Sequence, residues 1–182
     1  MKKARDTVKK LFLIGGTMGV GKTTICQNLK KRLFNSVYLD GDWCWNANPF
    51  KVTDETKKMV IDNICYLLNN FLQCSEYENI IFSWVMHKQT IIDTIMSKIN
   101  ANNYQLIDIS LISDEQTIKK RLLNDINSGL RTMDVIERSI EKIPLYKNLS
   151  TIKIDTSNQS VDETVQAIIN ITNKQKCEMK RE

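Results

Sequence analysis

Eight consecutive residues near the start of the chain, Gly16-Thr17-Met18-Gly19-Val20-Gly21-Lys22-Thr23, fit the pattern G-x-x-x-x-G-K-[ST] without a gap. The apolar run Leu11-Phe12-Leu13-Ile14 precedes them and reads as a buried strand, and Thr23 to Leu33 follows and reads as a helix. Strand, glycine loop and helix in that order form the context in which such a loop binds phosphate. Glycines let the backbone take positive φ and approach a ligand closely, so successive N–H groups turn inward at a helix N-terminus whose dipole favours negative charge. The expected guest is a polyphosphate. Lys22 is placed to set its ammonium on the β- and γ-phosphates, and the Thr23 hydroxyl to coordinate the Mg²⁺ that bridges them. Gly16, Thr17, Met18, Gly19, Val20, Gly21, Lys22, Thr23 and Thr24 are therefore the candidate nucleotide-binding set.

The rest of the chain alternates strand and helix patterns, which predicts a parallel sheet with helices on both faces. Ser36 to Leu39 is a short second strand ending at Asp40. Asp54 to Cys74 is a long helix with Val60, Ile61, Ile64, Leu67, Leu68 and Phe71 on one side. Asn79 to Val85 is an apolar third strand, Lys88 to Ile99 a helix, and Gln105 to Ile112 a fourth strand. Asp114 caps a helix to about Asn127, Ser128-Gly129-Leu130-Arg131 breaks it, and a further helix runs from Asp134 and stops before Pro144. Thr151 to Ile154 is a fifth strand, and Ser160 with Glu163 forms a capping box for a last helix. Parallel strands this apolar place ligands at their carboxyl ends. The glycine loop, Asp40-Gly41-Asp42, Ser83 to His87 and Thr156-Ser157-Asn158-Gln159 all follow strands.

With 182 residues, 42% of them hydrophobic, the chain suits one core and is short for two ordinary domains; residues 1–182 are read as one domain. The net charge of +5 fits a protein that handles anionic nucleotides. Part of that excess lies in Lys2, Lys3, Arg5, Lys9 and Lys10 and in Lys174, Lys176, Lys180 and Arg181, taken as flexible termini, and no basic stripe alternates with aromatics, so no nucleic-acid partner is expected. Cys26, Cys44, Cys65, Cys74 and Cys177 form no C-x-x-C pair, which argues against a zinc site or a disulfide framework and for a reducing compartment. The basic start followed by Leu11 to Ile14 is cut by Gly15-Gly16 and lacks a cleavage site, and no run approaches the ~18 apolar residues of a membrane span. A cytoplasmic protein, monomer or homodimer, is expected, with no membrane partner.

The glycine loop, the Leu39-Asp40-Gly41-Asp42 segment about 20 residues later and Arg131-x-x-Asp134-x-x-x-Arg138 together resemble the P-loop kinases of the nucleoside monophosphate and shikimate/gluconate kinase-like group, including the chloramphenicol phosphotransferase branch. The resemblance spans nearly the whole chain. It implies an α/β, three-layer P-loop NTPase fold with a five-stranded parallel sheet flanked by helices, and transfer of the γ-phosphoryl group of ATP to a small-molecule acceptor. It further implies that Asp40 stands on the metal side and Asp42 contacts the acceptor hydroxyl and takes its proton. Arg131 and Arg138 are then lid arginines, in a lid near residues 128–143, closing over the phosphates, and Arg121 begins the lid and packs near adenine.

Two departures and one cluster add to this. Ser83 stands where many P-loop proteins carry a third-strand carboxylate, so Asp40 or Asp42 must supply the acid. The base-reading signature N-K-x-D is absent, because Asn173-Lys174-Gln175-Lys176 lacks the Asp, which argues against a GTPase. Trp43, Trp45, Asn46 and Phe50 fall where an acceptor would sit and could stack on a planar or sugar-like molecule or pack as cover over the sheet end; His87 could touch the acceptor or serve structure. An ATP-dependent small-molecule kinase is the expectation, with an antibiotic-type O-phosphotransferase or a non-catalytic ATP-binding module as alternatives.

Overall fold

Alternation along the first strand sets the layers. In β1 (Lys9–Gly15), Leu11 and Leu13 point to one face of the sheet and Phe12 and Ile14 to the other, and all four are fully buried. A strand buried on both sides belongs in the middle of a parallel sheet. The computed structural model describes residues 8–178, the last five by their backbone only. In it the strands β1, β2 (Ser36–Asp40), β3 (Asn79–Trp84), β4 (Tyr104–Ile112) and β5 (Ile152–Asp155) run parallel in the order β2-β3-β1-β4-β5.

Helices cover both faces. Helices α1 (Lys22–Arg32), α4 (Glu115–Asn127), α5 (Asp134–Ile140) and α7 (Val161–Glu178) bury Leu29, Leu122, Val135 and Val165 against Phe12, Ile81 and Ile109. Helices α2 (Asp54–Gln73), α3 (Gln89–Ser97) and α6 (Ile143–Lys147) bury Ile64, Leu68, Ile95 and Tyr146 against Leu11, Leu13 and Phe82. The result is the three-layer fold with a five-stranded parallel sheet that the resemblance implied. No helix among the described residues is long and apolar enough to cross a membrane.

Element ends follow local chemistry. Asp114 caps α4 by accepting from the Thr117 N–H at 2.7 Å, and Ser160 and Glu163 bond reciprocally ahead of α7. Three details differ from expectation. Pro144 opens the short helix α6 as well as following α5, because its fixed φ suits a first turn. Gly41–Trp45, where no element was expected, is a 3₁₀ turn capped by Asp40. Lys9 and Lys10 lie in β1, where Lys9 Nζ bonds the Cys74 carbonyl, and the helical backbone of α7 runs through Lys174 and Lys176. Lys2, Lys3, Arg5, Lys180 and Arg181 lie outside the described residues.

Candidate active site

The carboxyl ends of β1, β2 and β3 and the loop between β1 and α1 enclose one end of a cleft of about 340 Å³. Gly19 has φ +79°, and a Cβ there would meet Leu122 of α4 at 2.8 Å. Only glycine fits that turn. The Val20 carbonyl is held from behind: Arg121 Nη1 donates to it at 3.2 Å, while Arg121 Nη2 donates to the Thr156 carbonyl at 2.8 Å. In a trans peptide the carbonyl and the following N–H point opposite ways, so a Val20 carbonyl tied outward turns the Gly21 N–H to the loop's other side.

Lys22 folds over the loop, its Nζ donating to the carbonyls of Gly16 at 2.8 Å and Thr17 at 3.0 Å. Burial lowers its pKa to about 8, against the opposing pull of the Asp42 and Asp40 carboxylates, and the Arg131 charge lowers it further. An ammonium so enclosed gains from an added anion.

Beside it a chain of hydrogen bonds fixes one carboxylate. Asp40, at the end of β2, is paired in register with Ser83 on β3, the neighbour of Ile14 on β1. Asp40 Oδ2 accepts from the Thr23 hydroxyl at 3.1 Å and the Tyr38 hydroxyl at 2.9 Å, and Oδ1 accepts from the Asp42 N–H at 3.2 Å. The Tyr38 proton goes to the carboxylate, which can only accept, so the Ser83 hydroxyl, 2.8 Å away, donates to Tyr38. Behind Ser83 lies Cys26, whose thiol burial pushes up to about 12. The acid that β3 lacks at Ser83 thus stands one strand further out, oriented through Ser83 itself.

Asp42 takes the opposite position, exposed at the cleft. The Trp84 indole donates to its Oδ1 at 3.2 Å. Gly41 makes this possible: a Cβ on it would lie 2.5 Å from the Trp84 ring, so the two acids need a glycine between them.

The cleft also receives Arg131 and Arg121, together with Asp125, Thr156 and Gln159. Arg131 is held by Asp125 at 3.2 Å. The structure brings together every expected site residue from Met18 to Thr24 with Asp40, Asp42, Arg121 and Arg131. Gly16 and Thr17 lie just behind, as acceptors for Lys22. It does not bring Arg138, which faces outward on α5 and pairs with Asp134 at 2.9 Å. One turn of helix separates it from the loop residue Arg131 and turns it to solvent. His87, half-buried beside Lys142, also lies off the cleft, and burial lowers its pKa. Trp43 packs edge-on to Tyr38 at 5.6 Å and stays exposed, and Trp45 packs on Phe50 at 4.7 Å. Tyr38 and Ser139 were not singled out from the sequence, and Trp84 only as part of the Ser83 to His87 segment. Tyr38 had a signal, since it lies two residues before Asp40 and so on the same face of β2.

The donor set beside Lys22 suits a magnesium ion. Mg²⁺ takes hard oxygens and retains waters, binding through one or two protein oxygens plus phosphate. The Thr23 hydroxyl and Asp40 Oδ2, in contact at 3.1 Å beside the phosphate loop, are such a pair.

A phosphate loop on a central strand, an acid at the end of the neighbouring strands and a five-stranded parallel sheet define the fold of the P-loop kinases. A family model described as AAA domain matches residues 13–140, more than half of the chain, and the protein belongs to that family. No curated protein matches the sequence. Among solved structures, the tunicamycin resistance protein of Deinococcus radiodurans is similar, with a TM-score of 0.68, 19% identity and coverage of 90% of this chain and 95% of that one. A gluconokinase from Sinorhizobium meliloti 1021 superposes with a TM-score of 0.65, at 16% identity over 90% and 91% of the two chains. A shikimate kinase from Acinetobacter baumannii, in complex with shikimate, gives 0.62 at 18% identity over 96% and 98%. The fold is that of the shikimate and gluconate kinase-like group.

Proposed function

We propose that the protein is a phosphotransferase that moves the γ-phosphoryl group of ATP to a hydroxyl of a small, nucleotide-like or hydroxylated molecule. The observation that carries this reading is the placement of two carboxylates with different surroundings around one phosphate loop. Asp40 is buried and tied to Thr23, whereas Asp42 is exposed on the cleft and held by one indole N–H. A buried, hydroxyl-linked acid suits a metal and an exposed one suits an incoming acceptor.

In this reading the loop amides and Lys22 hold the polyphosphate, and Thr23 and Asp40 hold Mg²⁺, which when bound neutralises charge on the β- and γ-oxygens. The acceptor hydroxyl oxygen bonds to the γ-phosphorus as the bond from that phosphorus to the β–γ bridging oxygen breaks, its electron pair leaving with ADP. The acceptor proton passes to Asp42. Arg131 answers the charge on the transferring group from a lid comprising residues 128–143, within a single domain of residues 1–182. Trp43, exposed and next to Asp42 in the chain, is the ring offered to a planar or sugar-like acceptor, whereas Trp45 and Phe50 pack on each other and none of the three lines the cleft.

ADP release from MgATP, measured across a panel of nucleosides, nucleotides, sugars and aromatic polyols, tests the proposal. A member of the panel that stimulates release and emerges phosphorylated supports it. Tight MgATP binding with no stimulated release by any member favours a non-catalytic ATP-binding module.

A further inference from the structure

Ser139 has no exposure to solvent, yet it is polar and lies on the short helix α5, far in sequence from the phosphate loop. Its hydroxyl is 2.7 Å from the Met18 carbonyl and 2.9 Å from Thr17 Oγ1, and Thr17 Oγ1 is also 2.9 Å from the Ser139 carbonyl. Each hydroxyl has one proton. The Met18 carbonyl can only accept, so the Ser139 proton goes there, and Thr17 shares its proton between the two oxygens of Ser139.

This fixes a peptide plane in the loop. With the Met18 carbonyl turned toward α5, the N–H of Gly19, on the same trans peptide, points the other way, toward the phosphate side. Gly19 at φ +79° offers little resistance of its own to a flip of that plane, because glycine takes either sign of φ. The orientation has to come from outside. The same device acts one peptide further on, where Arg121 holds the Val20 carbonyl.

We propose that Ser139 is a positioning residue for the phosphate site: through the Met18 carbonyl it keeps the Gly19 N–H aimed at the bound polyphosphate and fastens α5 to the loop. The assignment rests on the reading of this loop as a polyphosphate site and extends it to a residue outside the motif. Ser139→Ala removes only the hydroxyl. Thr17 retains the backbone carbonyl of residue 139 as acceptor, so the variant keeps its second link to α5.

Inorganic tripolyphosphate with Mg²⁺ is the probe, because it engages the loop without base or acceptor. Calorimetric titration of the Ser139→Ala variant is expected to give affinity about 10-fold or more below that of the parent, the scale of one lost hydrogen bond to a charged group, while adenosine binds both alike. Thr17→Ser, which keeps its hydroxyl, is expected to retain more of the tripolyphosphate affinity than Thr17→Val, which loses it. Thermal melting reports folding separately. Equal tripolyphosphate affinity in parent and Ser139→Ala overturns the positioning role. A parent that binds no tripolyphosphate overturns the phosphate-site reading, and the proposal with it. Parallel losses for tripolyphosphate and adenosine assign Ser139 to general packing and overturn the proposal.

Discussion

Tyr38→Phe removes one oxygen from the centre of the buried chain that orients Asp40, and its cost can be worked from the contacts. The Tyr38 hydroxyl donates to a carboxylate at 2.9 Å, and a hydrogen bond to a charged group is worth about 1.5–3 kcal/mol. The variant also takes from the fully buried Ser83 hydroxyl its Tyr38 acceptor and leaves it only the weaker Cys26 thiol, a penalty of up to about 1–3 kcal/mol. The two costs share an atom and do not add, so a loss of about 2–4 kcal/mol is expected. For a chain of this length that lowers Tm by roughly 4–16 °C. Asp40 retains Thr23 and the Asp42 N–H, so the fold should survive. Its aim loosens, however, and the loss of a partner behind a metal ligand costs about 10–100-fold in metal affinity or activity. Thermal melting, with activity measured against Mg²⁺ at fixed ATP, reads both effects. Ser83→Ala in the Tyr38→Phe background removes a hydroxyl that has already lost its oxygen acceptor and is expected to cost less than Ser83→Ala in the parent. Independent, additive costs for the two substitutions would refute the chain of hydrogen bonds. A lowered Tm with an unaltered Mg²⁺ requirement would refute the role of Asp40 in holding the metal.

Lys22, with a pKa of about 8, holds fewer protons folded than unfolded between pH 8 and 10.5, so its share of folding stability rises with pH across that window. Polyphosphate affinity needs the ammonium and is expected to fall as pH rises above 8, with proton uptake on binding detectable by calorimetry in buffers of different ionisation enthalpy; a pH-independent affinity from 7 to 9.5 would contradict it. Arg131→Ala breaks an ion pair that is 40% and 38% exposed, so stability should change by less than about 1 kcal/mol, whereas kcat should fall by about 10²-fold with little change in MgATP affinity. An unchanged kcat would return Arg131 to the solvated surface. Gly41→Ala drives a methyl into the Trp84 ring and should disturb Asp42 without touching the phosphate loop. Activity is expected to drop well below that of the parent while tripolyphosphate binding holds, and an equal drop in both would contradict the local effect.

The phosphate loop and its flanking elements were legible in the sequence because their requirements are local: glycines at fixed spacing, a lysine, a hydroxyl, an apolar strand before and a helix after. Asp114 and Ser160 were legible as caps for the same reason, a side chain answering an N–H three residues on. What the sequence hid depends on register. Ser83 reads as a missing acid, and only the pairing of β2 with β3 reveals Asp40 beside it with Tyr38 joining the two. Ser139 lies 122 residues from Thr17, and nothing in its own neighbourhood marks it. Arg138 was placed in the site by the resemblance, yet helical geometry turns it outward to Asp134, while Arg131, in the preceding loop, reaches the cleft.

The division of labour between Asp40 and Asp42 is tested most directly by phosphoryl transfer from MgATP to an identified acceptor, with Asp42→Asn compared with the parent. Asparagine keeps the size of the side chain and its acceptance from the Trp84 indole but takes no proton. MgATP binding is expected to match that of the parent and transfer to fall by roughly 10²-fold or more, the scale of a lost general base. Transfer at the parental rate by Asp42→Asn would contradict the account.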